Sequence, residues 1–139
     1  MANARSTTAQ RTALVVHPDM TALSALQGEF LKHSIATIVA RDLPTALLAM
    51  TQHYFDIAVV ADTISEAGDG WALGGVLRMV FPKAFLATIT PNSDVHTLKN
   101  AINNGIDEIF ETNAQFGDVV AATIRSYSSA PGKRAARVQ

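Results

Sequence analysis

Five short apolar runs in this sequence end on polar residues, and those residues include most of the groups able to do chemistry. His17, Pro18 and Asp19 follow ALVV at 13–16, Arg41 and Asp42 follow IATIVA at 35–40, and Asp62 follows IAVVA at 57–61. Thr90 closes FLATIT at 85–90, and Glu111 and Thr112 follow DEIF at 107–110. Carboxylates accompanied by one hydroxyl suit a hard cation such as Mg²⁺ and the oxygens of a phosphoryl group better than a nucleotide base. An Asp carboxylate can also attack phosphorus as a nucleophile. No G-x-G-x-x-G follows the first run and no G-x-x-x-x-G-K-[ST] occurs anywhere, which sets aside dinucleotide-binding and P-loop chemistry. The absence of Cys removes thiol nucleophiles, disulfides and thiolate metal sites, and suits a reducing cytoplasm.

The elements that must position these groups are legible in the hydrophobic pattern. Each run is short, rich in β-branched residues and bounded by polar residues, as expected of strands buried on both faces. Helical periods separate them: Met20, Leu23, Leu26 and Phe30; Leu47, Leu48 and Met50; Leu73, Val76, Leu77 and Val80; Val95, Leu98, Ala101 and Ile102; and Phe116, Val119, Val120, Thr123, Ile124 and Tyr127. Asp42 before Leu43-Pro44 and Ser93 or Asp94 before the fourth helix are expected N-caps, and Gly105 an expected C-cap. Five strands alternating with five helices predict a parallel sheet covered on both faces. In an open sheet of this kind, ligands bind beyond the carboxyl ends of the strands, where the residues above collect.

Composition bounds the function. The 139 residues carry 11 Lys and Arg against 12 Asp and Glu, a net charge of -1, so no basic field exists to hold nucleic acid or an anionic lipid surface. Charged residues are 17% and hydrophobic residues 48%, with mean hydropathy +0.17, which fits one well-buried domain. No run approaches the roughly 18 apolar residues of a membrane span, and the polar start lacks the apolar core of a signal peptide. The expected organisation is a disordered leader at 1–11, one domain at 12–128 and a flexible basic tail at 129–139 containing Lys133, Arg134 and Arg137.

These positions resemble the receiver domain of bacterial two-component response regulators over residues 12–128. The stretch DTISEAGDG keeps that family's spacing from the phosphoacceptor to an Asp-Gly pair, here Asp62 and Asp69-Gly70. Residues 90–110, TPNSDVHTLKNAINNGIDEIF, match the block from the switch hydroxyl to the fifth strand, with Thr90 and Gly105 on its most typical positions. The resemblance implies a flavodoxin-like (βα)5 doubly wound sheet of strand order 2-1-3-4-5, with Asp62 as phosphoacceptor and Thr90 as switch hydroxyl.

Three departures weaken that chemistry. The family's acidic pair is replaced by His17-Pro18 with Asp19 one residue beyond, its Lys by Thr112 beside Asn113, and its Pro after the acceptor is missing, with Ser65 near its place. Mg²⁺ is therefore expected to bind weakly or not at all, through Asp19, Asp62 and His17, because Mg²⁺ prefers hard oxygen ligands to imidazole. A neutral hydroxyl at Thr112 cannot do the work of a cation toward phosphate. Each residue also has a plainer reading: Asp19 as the N-cap of the first helix, His17 as a hydrogen-bonded strand end, Asp62 as a loop cap, Thr90 as a β-branched strand residue. Trp71 and Ile109 are expected to pack locally, and His33, His53 and His96 to be solvated. The expectation is a non-enzymatic, cytoplasmic pseudo-receiver that docks a histidine kinase, an output domain or a second copy through the fourth helix, fifth strand and fifth helix. A working phosphoacceptor in a phosphorelay, using Asp62 with Mg²⁺, is the alternative. An unrelated flavodoxin-like enzyme is a third reading, with no residue pattern pointing to a particular reaction.

Overall fold

The computed structural model describes residues 11–91 and 93–138, with side chains described as far as 128. The chain alternates β1 (Thr12–Val16), α1 (Met20–Leu31), β2 (Ala36–Ala40), α2 (Leu43–Gln52), β3 (Ile57–Ala61), α3 (Asp69–Val80), β4 (Phe85–Thr90), α4 (Val95–Asn103), β5 (Glu108–Glu111) and α5 (Phe116–Val138). All strands pair in parallel, in the order β2-β1-β3-β4-β5. The three inner strands are wholly apolar apart from Thr12, Thr88 and Thr90, because helices cover both of their faces.

Side chains alternate across that sheet. Leu14, Val16, Ala58, Val60 and Leu86 pack against Ala46, Ala49 and Met50 of α2 and Leu73 and Leu77 of α3. Their neighbours Ala13, Val15, Val59, Ala87 and Ile89 pack against Leu23, Leu26 and Phe30 of α1 and Val119 and Val120 of α5. Burying each large aliphatic or aromatic side chain contributes about 1.5–3 kcal/mol. Caps fix where the helices start: Asp19 accepts from Thr21 N at 3.1 Å, Asp42 from Thr45 N at 2.8 Å and Asp94 from Thr97 N at 2.9 Å. Of the two expected caps for α4, Asp94 is therefore the one used. Gly105 follows α4 with φ +71, where a side chain would be strained and its Cβ would lie 2.8 Å from Arg78 Cγ.

The structure departs from the sequence reading in four places. First, α4 turns its apolar stripe outward: Val95, Leu98 and Ile102 are 71%, 47% and 76% exposed, while Thr97 and Ala101 face the core. Periodicity identifies residues that share a face but not the direction in which the face points, and the edge strand β5 is only four residues long, three half-buried and one exposed. Second, small residues mediate the packing of α2, so Ala46, Ala49 and Met50 are buried and Leu47 and Leu48 are not; Met20 and Val80 are likewise exposed. Third, Arg11 belongs to the domain rather than to the leader. Its carbonyl accepts from Ala36 N at 3.2 Å and its guanidinium lies 4.9 Å from the Tyr127 ring centre; residues 1–10 of the expected leader lie outside the described residues. Fourth, the backbone stays helical to Val138 through the expected flexible tail, where Ala130, Lys133, Arg134 and Ala135 are strong helix formers flanking Pro131-Gly132.

Candidate functional site

The strand ends bring His17, Asp19, Asp62 and Thr90 to one edge of the sheet. Asp62 directly follows β3 and is tied on both sides: its N–H donates to Ile89 O at 2.9 Å, and its carbonyl accepts from Gly70 N at 2.8 Å. That second contact requires glycine, since a Cβ on Gly70 would lie 1.8 Å from Ala61 O. The start of α3 is thereby pressed against the end of β3. Thr90, 2% exposed at the end of β4, donates its hydroxyl to Asp62 Oδ2 at 3.0 Å. Thr90 O in turn accepts from Thr112 N at 2.9 Å.

His17 continues β1, its N–H donating to Ala40 O at 3.1 Å, and its Nδ1 accepts from Asp19 N at 3.1 Å. An Nδ1 that accepts carries no proton, so the neutral ring holds its proton on Nε2. Burial pushes the imidazole below its usual pKa, opposed by the charges of Asp19 and Asp62. The ring is therefore neutral near pH 7 and supplies no positive charge where a metal ion would stand.

The loop between Asp62 and α3 has its own clamp. Asp69 turns its carboxylate back to accept from Ile64 N at 2.7 Å, Ser65 N at 2.9 Å, Ser65 Oγ at 3.0 Å and Glu66 N at 2.9 Å. Burial alone would raise its pKa, but the backbone donors of Ile64, Glu66 and Ser65 and the Ser65 hydroxyl outweigh it and hold the carboxyl at about 2. The helix cap proper falls to Gly68, at φ +79. In the sequence Asp69-Gly70 stands out only by its spacing from Asp62; the clamp is legible afterwards as an Asp three to five residues beyond the amides it collects. A second contact missed from sequence closes the rim: Ser93 Oγ donates to Glu111 Oε2 at 2.9 Å, holding the start of α4 to the end of β5.

These donors do not fit a divalent metal. Among the described residues no group of three His, Asp or Glu is placed to hold one. Asp19 uses Oδ1 to cap α1, His17 directs Nδ1 at a backbone amide, and Oδ2 of Asp62 takes the Thr90 hydroxyl. Thr112 enters the site through its backbone, its side chain being exposed. Ile109 pairs with Thr88 across β4 and β5 and is half-buried, and Trp71 is buried in α3.

No known family model matches the sequence, and no curated protein does. Solved structures with the same fold are numerous. A response regulator from Thermotoga maritima is 17% identical, with 86% of this chain and 98% of that chain covered at a TM-score of 0.75. A CheY-like response regulator receiver domain from Methanospirillum hungatei JF-1 is 13% identical over 86% of this chain and 95% of that one, at 0.78. A response regulator from Burkholderia pseudomallei, solved with a phosphorylated aspartic acid, calcium and citrate, is 19% identical over 92% and 75%, at 0.75. The chain thus has the flavodoxin-like fold of response regulator receiver domains. No helix among the described residues is long and apolar enough to cross a membrane.

Proposed function

We propose that this domain is a receiver-like signalling module that acts by docking a protein partner, with phosphorylation at Asp62 weak or lost. The observation that carries the reading is the composition of the pocket: Asp62 and Thr90 stay in hydrogen-bond contact, while neutral His17 and the outward Thr112 stand where the resemblance calls for a carboxylate and a cation. Phosphoryl transfer to a carboxylate is catalysed by placing positive charge on the incoming oxygens, and none of the four residues in this pocket provides it. The docking face is the exposed stripe Val95, Leu98 and Ile102 on α4 together with β5 and α5. A histidine kinase or an output domain is the class of partner that the fold supports. Because Ile109 and Thr112 stand where the resemblance to receiver domains calls for an aromatic ring and a Lys, groups that would distinguish two packings of the rim, docking is largely constitutive.

The test is incubation with a small phosphodonor and Mg²⁺, read by intact mass, with beryllofluoride read by amide shifts. The expected result is no stable mass increase and no shift at Asp62, Thr90 or Ser93. A phosphoryl adduct that disappears in Asp62→Ala would overturn the reading in favour of a working phosphoacceptor.

A further inference from the structure

The sheet has two edges of opposite character. β5 carries Glu108 and Glu111 among its four residues, so two such edges brought together would meet in like charge. The other edge, β2, is Ala-Thr-Ile-Val-Ala, with no charged residue and no proline to blunt it. Of the two helices that pack beside it, α2 adds none, since residues 43–55 contain no Asp, Glu, Lys or Arg, and at the end of α1 Glu29 is paired with Lys32 at 3.1 Å. An uncharged, β-branched edge is a template for another strand.

The hydrogen-bond pattern says which groups are on offer. Ala36 N donates to Arg11 O and Ala40 O accepts from His17 N, so residues 36, 38 and 40 address β1. In a parallel strand the N–H and C=O of one residue point the same way, so those of Thr37 and Val39 point outward, with no strand among the described residues beside them. Thr37 O accepts from Gln27 Nε2 at 3.2 Å, and a carbonyl has a second lone pair to spare. One turn beyond Gln27 on the same face of α1, Leu31 is 62% exposed and flanks this edge.

We propose that β2 pairs with β2 of a second copy of this chain, antiparallel about a two-fold axis at Ile38. Two outward residues separated by one inward residue are self-complementary in this register alone: Thr37 meets Val39 of the copy and Val39 meets Thr37, each pair exchanging N–H to O bonds. Ile38 then faces its own symmetry mate in the closer, non-hydrogen-bonded pair, with Cα atoms about 4.5 Å apart. No charge opposes itself across the axis, and the two sheets become one of ten strands. The surface is separate from the α4 face, so the pairing leaves partner docking free.

The test uses the full chain in sedimentation or light scattering from about 1 μM to about 1 mM, a range that reports dissociation constants between those limits. A reversible dimer is expected. Ile38→Cys, in a chain with no other Cys, should oxidise to a covalent dimer, because the Cα spacing lies in the range of about 4.4–6.8 Å that a disulfide spans. Thr37→Pro removes an outward N–H, and Leu31→Glu places like charges beside the axis; each should weaken the dimer by about tenfold or more. Leu31 is exposed, so that variant keeps its fold if circular dichroism is unchanged. A monomer throughout, or a dimer indifferent to both variants and broken by Leu98→Asp on α4, would overturn the proposal.

Discussion

Neutralising Asp69 should loosen the loop that follows Asp62 and leave the rest of the core in place. The unfolded carboxyl titrates at 3.8 and the folded one at about 2, so the clamp favours the charged form by nearly two pH units. At 1.36 kcal/mol per unit that is about 2.4 kcal/mol, an upper figure; water reaches Ser65 and Glu66, and screening reduces it to about 1–1.5 kcal/mol. The cost of losing an N-cap carboxylate, about 0.5–2 kcal/mol, agrees. Asp69→Asn keeps the shape, loses the charge and turns an N–H₂ group toward amide donors. Because the folded pKa is depressed, the stabilisation is fully present above 3.8 and is lost as pH falls toward about 2. Urea denaturation of wild type and Asp69→Asn should therefore differ by about 1–1.5 kcal/mol near pH 7 and converge as the pH approaches 2. Hydrogen exchange should place the loss at Ile64, Ser65 and Glu66. A difference that does not change with pH would refute the argument, because a clamp made by a charge cannot outlast the charge.

Three further outcomes follow from individual contacts in the domain. Thr88 is fully buried and its hydroxyl has no hydrogen-bond partner among the described residues, so the isosteric Thr88→Val should raise stability by about 1 kcal/mol in thermal or urea unfolding. Arg78 donates to Gly105 O, Pro82 O, Ala84 O and Asp107 Oδ2, the last at 2.7 Å in a pair with side chains about one-fifth exposed. Asp107→Ala leaves both that guanidinium and Leu86 N short of an acceptor, and should cost about 2–3 kcal/mol with unchanged secondary structure. Thr90→Val and Asp62→Ala should show a coupling of about 1 kcal/mol in a double-mutant cycle, since each removes one end of the same 3.0 Å bond; additivity would break the link between them.

How far the sequence could be read depended on whether a signal was local. The strands were legible because inner strands of a parallel sheet must be apolar throughout, and IAVVA and FLATIT coincide with β3 and β4 to the residue. Caps were legible because Asp42 and Asp94 act on amides three residues away. The juxtaposition of Asp62 and Thr90 followed from the order of the strands alone. The outward turn of the α4 stripe was not legible, because it depends on how much sheet lies beneath the helix. Nor were the contacts of Ser93 with Glu111 and of Arg78 with Gly105, which span 18 and 27 residues of chain and are fixed only once the strands are in register.

The pocket divides into residues the fold needs and residues only phosphoryl chemistry would need. Gly70 is held by a backbone atom that a Cβ would strike, Asp69 gathers three amides, and Asp62 gives the buried Thr90 hydroxyl an acceptor. Each satisfies a packing or hydrogen-bonding demand that persists whether or not a phosphoryl group ever arrives. Thr112 differs in that its backbone makes the bond to Thr90 while its side chain is exposed, whereas His17 is half-buried and its Nδ1 also accepts from Asp19 N. The Asp62–Thr90 contact is by the same reasoning a structural bond first. It ties β3 to the end of β4 and so sets where α4 begins, and α4 is the element that carries the exposed Val95, Leu98 and Ile102.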